Sequence, residues 1–518
     1  MLSFLILLPA LFAIVFGIVP SQKTRFYYVM TNAVALLQVI ICSYLFTQIP
    51  DKQVFSTTEN IKNTLYFVEN YAWFRLPLGE LGTLAVDYFV GIDNLNLLFV
   101  CLTSIVFLVA SVASKDITDN PKAYFALFLL LNSTVFGCFV ALDFFLFFLF
   151  FEFMLLPMYF LIGLWGGIRR EYAAIKFFIY TFLGSILLLF VMISLGLSVA
   201  IQTEEGILHT FNMLEMTNPT NFVTDSLLHP NNSLYVMGVP IRSFAFLALL
   251  IGFAIKLPAV PVHTWLPDAH VEAPTPISMV LAGILLKIGG YGIIRTAYRI
   301  FPVEFENFAI WICAFGILSM LYAGFVAMGQ TNLKKLIAYS SISHMGYVLL
   351  GLGTRTQEGF YGAIYQLCSH GILSVMLFFL AGILYNRTHN LEIENYKGLL
   401  NQMPKYSFFV AIAFFASLGL PGFSGFIGEM LVLAGAFHSK FLPLWAAILA
   451  CFALLLGAAY FLWTYQRMFL GKFSLKDQNL QLQLTDLTIT EKLVLLFCSI
   501  LAVIFGLFPN IILNKLVF

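Results

Sequence analysis

Charged residues are scarce in this chain. Asp, Glu, Lys and Arg make up 10% of its 518 residues, where a soluble domain carries about 25%. That shortage excludes a soluble enzyme. The two signs nearly cancel, at a formal net charge of +1, and no basic cluster or stacking platform marks a nucleic-acid surface. The seven cysteines, Cys42, Cys101, Cys138, Cys313, Cys368, Cys451 and Cys498, each sit alone in an apolar run. No CxxC pair groups them, so neither an iron–sulfur cluster nor a zinc site is supported, and they read as small buried hydrophobes. There is no GxGxxG placed after a strand, no Walker loop and no CxxCH, so no redox cofactor or nucleotide site is expected in this chain. The opening run "MLSFLILLPALFAIVFGIVP" also lacks the basic start of a signal peptide, because the first Lys or Arg is Lys23. We read it as an uncleaved first span.

What fills the chain is apolar: 60% of residues are hydrophobic and 16% aromatic, with Phe alone occurring 56 times. A helix needs about 20 apolar residues to cross the hydrocarbon. About 14 runs qualify, near 2–20, 27–48, 89–114, 122–141, 143–166, 173–201, 241–266, 273–299, 306–328, 333–353, 360–386, 407–436, 443–470 and 489–513. The expected fold is an all-α polytopic membrane protein. Two longer polar connections, about 49–88 and 202–240, show no pattern of a separate domain. Lys and Arg crowd one set of loops, among them Lys23, Arg25, Lys115, Lys122, Arg169, Arg170, Lys334, Lys335, Lys472 and Lys476. The positive-inside rule makes that set cytoplasmic, which puts both termini on the other side.

Within the spans, ionisable residues stand out because each is costly there, by roughly 2.5–3.5 kcal/mol on insertion scales. Glu152 in the fifth, Lys256 in the seventh, Lys287 in the eighth and Glu429 in the twelfth span lie deepest. Asp143, His344 and His370 are shallower candidates. Such groups mark ion or proton paths by default, and a carboxylate about 4 Å from a lysine supports its charge by about 4 kcal/mol at an effective dielectric near 20. Glu152 and Lys256 are the expected pair. A buried ion pair that only holds helices together is the plain alternative. It does not explain why acid and base recur over several helices. For His344 and His370 a hydrogen-bonded interior histidine is an equal alternative to a relay. His263, His270 and Asp268 resemble a metal cluster on paper, but Pro breaks their segment, and no metal is expected.

Proline adds a clue. Pro258 and Pro261 follow Lys256, and Pro421, Gly422 and Gly425 precede Glu429. Proline breaks a helix, and broken backbone at membrane depth survives where protein or water satisfies it. Transporters build ion sites on such helices in inverted repeats. "EYAAIKFFIY" aligns with "FYGAIYQLCS", and "KLPAVP" with "GLPGFS". The expected organisation is 1–121 with spans one to three, a first repeat over 122–300, a second, inverted one over 301–472, and a last span in 473–518.

The segments "FEFMLLPMYFLIGLWG", "KLPAVPVHTWLPDAHVEAPTPISMVLAGILLKIGGYGIIR", "NLKKLIAYSSISHMGYV" and "GLPGFSGFIGEML" resemble the antiporter-like subunits of respiratory complex I, the proton-pumping NADH:quinone oxidoreductase, and their Mrp antiporter relatives. That family has three large types, called L, M and N. The end of the chain after about fourteen spans and an acid, Glu429, where the other types and Mrp subunits carry lysine favour the M type. The resemblance implies a proton relay driven by redox chemistry in other subunits. Glu152 would match the fifth-span acid, Lys256 its partner, Lys287 the central lysine and Glu429 the residue towards the exit. His344 and His370 would lie on the hydrated axis, with Asp143 and Arg295 as auxiliary groups. It implies L-type, N-type and small membrane subunits as partners, in a bacterial inner membrane, with mitochondrial inner membrane and thylakoid as other settings. A cation/proton antiporter subunit, a membrane subunit of a hydrogenase-linked complex, and a purely structural docking subunit are the other readings.

Overall fold

The computed structural model describes residues 1–19, 24–51, 65–204, 206–232, 234–236, 238–476 and 484–516. Lys23, counted above among the basic loops, lies outside the described residues. Lipid offers backbone N–H and C=O groups no partner, so the long apolar runs close their hydrogen bonds within helices. Among the described residues, eleven helices are long and apolar enough to cross a membrane. The remaining expected spans fall short of that length. Leu2–Ile18 has 17 residues. The seventh span is interrupted between Ile241–Lys256 and Trp265–Glu272, and the twelfth between Pro404–Ser417 and Ser424–His438.

Helix ends alternate between two faces of the bundle. One face holds Met1 and Lys515: the Met1 amine pairs with Glu69, and Lys515 Nζ lies 2.8 Å from Asp51. The other, basic face gathers Lys115, Glu272, Lys334 and Glu491 around one cavity.

The two long polar connections need correction. Among their described residues they meet in a four-stranded sheet, β1 (Tyr66–Pro77), β2 (Thr83–Ile92), β3 (Ala200–Thr203) and β4 (Gly206–Thr210), in the order β1-β2-β4-β3. β2 and β4 run parallel, with Thr83 opposite Leu208. "YFVENYAWFRLP" and "TLAVDYFVGI" are rich in aromatic and β-branched residues that suit a pleated surface, a signal hidden beneath the stronger helical hydropathy. The third span therefore begins at Asn94, not near 89. Asp93 caps it by accepting from the Asn96 N–H at 2.9 Å, while Asn96 accepts from the Asp93 N–H at 2.8 Å.

The eighth span is buried over all but its ends and holds two π-helical turns, Leu281–Leu285 and Ile293–Tyr298. Its glycines let the interrupted seventh span lie directly on it: a Cβ on Gly289 would meet the Leu257 N at 2.6 Å. Its lower end is tied to the third span. Arg295 grips Asp93 in a two-pronged ion pair at 2.6 and 3.1 Å, and its Nε donates to the Tyr291 hydroxyl at 3.0 Å. Removing one partner of a buried ion pair strands the other charge and costs about 3–5 kcal/mol. Asp93→Ala should therefore lower the thermal midpoint of the purified protein sharply, and Asp93→Asn less. An unchanged midpoint for Asp93→Ala would refute this role.

Candidate functional site

Three interruptions of regular helix lie at the deepest charges, and each exposes backbone carbonyls. In the seventh span the chain breaks after Lys256, and the Trp265 indole N–H donates to the Ile255 carbonyl at 2.9 Å. In the eighth, the Lys287 ammonium donates to the Ala282 carbonyl of the first π turn. In the twelfth, His344 Nε2 lies 3.1 Å from the Ser417 carbonyl at the end of the first half-helix. Orphan carbonyls at helix ends need such donors.

From Lys287 a buried chain of side chains crosses the bundle. Its Nζ is 2.7 Å from His370 Nδ1. The His370 and His344 rings are 5.3 Å apart, centroid to centroid. His344 Nε2 is 3.6 Å from Glu429 Oε1. Lys287, His344, His370 and Glu429 are all buried. The two histidines thus stand between the lysine and the glutamate, with His370 in direct contact with the lysine and His344 beside the glutamate.

Glu429 is seated by its own helix break. Gly419 has φ +78, and a Cβ there would stand 2.2 Å from Glu429 Oε2. Two small cavities of about 10 Å³ flank the carboxylate, one shared with His344, His370 and Gln366, the other with Tyr347 and Tyr460. Each has room for about one water molecule. Gln366 Oε1, Ser417 Oγ and Glu429 Oε2 lie buried without a protein hydrogen-bond partner, which suits water at these places. Gln366 and His370 are four residues apart, on one face of a helix; that spacing is the signal by which the sequence could have exposed Gln366.

The expected Glu152–Lys256 contact is not direct. No oxygen of Glu152 lies within 4.0 Å of Lys256 Nζ, and neither that ammonium nor Glu152 Oε1 has a hydrogen-bond partner. The rings of Phe151 and Phe177 stand 5.2 and 5.4 Å from Lys256 Nζ instead. Aromatic faces hold a cation electrostatically. Glu152 is half-buried at the bundle's edge. Pro157 lacks the N–H that would reach the Phe153 carbonyl, and the helix is interrupted at Met154.

Asp143 lies apart from this chain. It caps the fifth-span helix, accepting from Leu146 N–H at 3.0 Å, and it accepts from Asp87 N–H of β2 at 3.3 Å. Arg295 is also apart, engaged by Asp93. The paper cluster of His263, Asp268 and His270 is split three ways. Asp268 pairs with Lys176 at 2.6 Å, the His263 ring faces Tyr322 at 5.3 Å, and His270 stacks on Phe378 at 4.2 Å. Among the described residues no three His, Cys, Asp or Glu side chains gather as a metal site.

These features define a class: a polytopic membrane protein with two interrupted helices and a buried chain of titratable groups between them. The chain belongs to the NADH:quinone oxidoreductase/Mrp antiporter transmembrane family, whose model matches residues 141–457. NADH-quinone oxidoreductase subunit M of Rickettsia bellii (strain RML369-C) is 38% identical over 479 residues, 92% of this chain and 90% of the relative. A chain of respiratory complex I from Thermus thermophilus superposes with TM-score 0.80 at 28% identity, over 99% of this chain and 98% of that one. A chain of the Mrp complex from Dietzia sp. DQ12-45-1b shares the fold, with TM-score 0.81 at 20% identity over 99% and 95% of the two chains.

Gly419→Ala should destabilise the protein twice over, by about 1–3 kcal/mol for its left-handed backbone and further by displacing the Glu429 carboxylate. Gly422 has φ +97 but open space around a Cβ, so Gly422→Ala should show the backbone cost alone. Equal thermal midpoints for the two variants would contradict the seating of Glu429.

Proposed function

We propose that this chain is the M-type, proton-translocating subunit of the membrane arm of an NADH:quinone oxidoreductase. The carrying observation is the buried run Lys287–His370–His344–Glu429, with contacts of 2.7 Å and 3.6 Å at its ends. A neutral imidazole accepts a proton on one nitrogen and releases it from the other, so two histidines in series can pass a proton between a lysine and a carboxylate. Lys256 loads, Lys287 passes, the histidines conduct and Glu429 delivers. Glu152 acts on Lys256 at longer range than a direct ion pair. Asp143 and Arg295 serve the frame around the relay, as helix cap and as clamp.

Moving one charge against the membrane potential costs about 2.3 kcal/mol per 100 mV. On this reading that energy comes from redox chemistry in other subunits, and the chain holds no cofactor or metal of its own. Its neighbours are L-type, N-type and small membrane subunits. The membrane is a bacterial inner membrane, with the basic face towards the cytoplasm and the termini opposite; the Lys and Arg excess of that face supports this. The repeats divide the chain as 122–300 and 301–472, flanked by 1–121 and 473–518. Shared fold with Mrp keeps a cation/proton antiporter subunit as the second reading, and a hydrogenase-linked complex as a third. Glu429, in place of the lysine expected in the antiporter relatives, favours the first reading over the second.

In the assembled complex reconstituted into vesicles, Lys287→Met and His370→Phe should each slow proton pumping by about 10²-fold or more, the scale of a lost proton-transfer group. Glu152→Gln should depress pumping less. Normal pumping by an assembled double variant, Lys256→Met with Lys287→Met, would instead establish a purely structural docking subunit.

A further inference from the structure

The last span, Ile489–Leu507, lies outside the two proposed repeats, yet it is built onto the break that seats Glu429. Its Gly506 rests on the backbone of that break. A Cβ there would collide with the Gly422 carbonyl and stand 2.5 Å from the Phe423 Cα. Backbone cannot swing aside as the end of a side chain can, so this contact fixes where the second half of the twelfth span begins. One turn earlier, Ala502 packs with Phe423 of the break, and with Leu373 and Ala416. Leu373 in turn lines the cavity that Glu429 shares with His344 and His370.

The eleventh span, Gln357–Thr388, carries Gln366 and His370 and beds the same half-helix. The Ser369 hydroxyl donates at 2.8 Å to the hydroxyl of Ser424, the first residue of the half-helix that bears Glu429. A Cβ on Gly428 would stand 3.1 Å from the Gln366 Cα. Tyr365, fully buried, ties this span to the last one: its hydroxyl donates to the Phe505 carbonyl. Phe505 sits in the last turn of its helix, where carbonyls lose their partners, and Pro509, four residues on, brings no N–H. Tyr365 and Ser369 lie one turn apart on one stripe of the eleventh span, and Gln366 and His370 on the next. The helix that lines the relay is thus bound both to the last span and to the half-helix carrying the final carboxylate.

We infer that Gly506 and Tyr365 are positioning residues for Glu429, and that the last span is the buttress that keeps its carboxylate beside His344. The inference rests on the relay reading. Neither residue acts on the carboxylate directly. Gly506 acts through Gly422 and Phe423, and Tyr365 acts by holding the last span to the eleventh. Glu429 Oε1 lies 3.6 Å from His344 Nε2, close to hydrogen-bond length but beyond it. At such a margin a displacement of about 1 Å is worth up to about 10²-fold in rate.

The test measures proton pumping over a pH series in the assembled complex in vesicles. Glu429 faces His344, His370, Tyr347 and Tyr460, none of which the substitutions alter. Glu429→Asp keeps an acid on a shorter stem and marks, by shifting it, the limb of the pH profile that belongs to this carboxyl. Gly506→Ala, which presses on the break, should cut pumping about tenfold or more and move the same limb by about one pH unit, the ordinary spread that surroundings impose on a carboxyl. Tyr365→Phe keeps the ring and drops the hydroxyl, and should move the limb in the same sense with a smaller loss of rate. Ser499→Ala, on the last span but away from the break, should leave the limb in place. A profile lowered in Gly506→Ala and Tyr365→Phe without any shift of that limb would show packing alone and overturn the inference. An equal shift in Ser499→Ala would overturn it too. Should Gly506→Ala prevent assembly, Tyr365→Phe decides by itself. If Glu429→Gln blocks pumping while Gly506→Ala and Tyr365→Phe keep the normal profile, the buttress fails and the relay stands. If Glu429→Gln pumps normally, the relay reading itself fails, and the buttress with it.

Discussion

A backbone carbonyl at membrane depth must find a donor, and this fold meets that demand with the side chains it uses for charge. Where the seventh, eighth and twelfth spans give up regular helical hydrogen bonds, a polar side chain takes a backbone carbonyl: Trp265 on Ile255, Lys287 on Ala282, His344 on Ser417. Lys334 does the same for Ala273, where the second half of the seventh span ends. The cost of breaking a helix and the cost of burying a donor offset each other at the same place. Titratable groups can then persist in an apolar interior without a dedicated counter-ion, which leaves them responsive to the next charge along.

The frame around these groups is correspondingly stiff. Arg295 and Asp93 lock the lower eighth span to the start of the third, and the sheet joins both long connections across the face that holds the termini. The basic face carries the large cavity instead. The two ends of the bundle therefore differ: one is laced by backbone hydrogen bonds between strands, the other hollowed and lined by side chains.

Much of this was legible in the residues. The apolar runs indicated the spans, and Pro258, Pro261 and Pro421 indicated both interruptions, because proline's missing N–H acts wherever it sits. Glu152, Lys256, Lys287 and Glu429 were conspicuous against phenylalanine and leucine. What stayed hidden depends on distance. "YFVENYAWFRLP" pairs with a strand that is distant from β4 in sequence yet parallel to it in space, and no local pattern encodes that. The aromatic screen around Lys256 uses rings that read simply as core. Lys334 and Lys335 are adjacent and identical in type, yet Lys334 is buried while its neighbour is half-buried, a difference set by the seventh span's end packing over it.

The glycines of the eighth span carry one more consequence. Advancing a helix by one residue shifts it by 1.5 Å and turns it by about 100°; in one sense that brings Ile288 to where Gly289 meets the Leu257 backbone, and in the other it brings Ile293 to where Gly292 meets the Phe253 ring. Those two contacts act as a key in a lock against a one-residue ratchet of the eighth span past the seventh. Any alternation between loading and release must then be carried by rotating side chains and reorienting water within a stationary scaffold, as in a circuit whose switches move while its board does not.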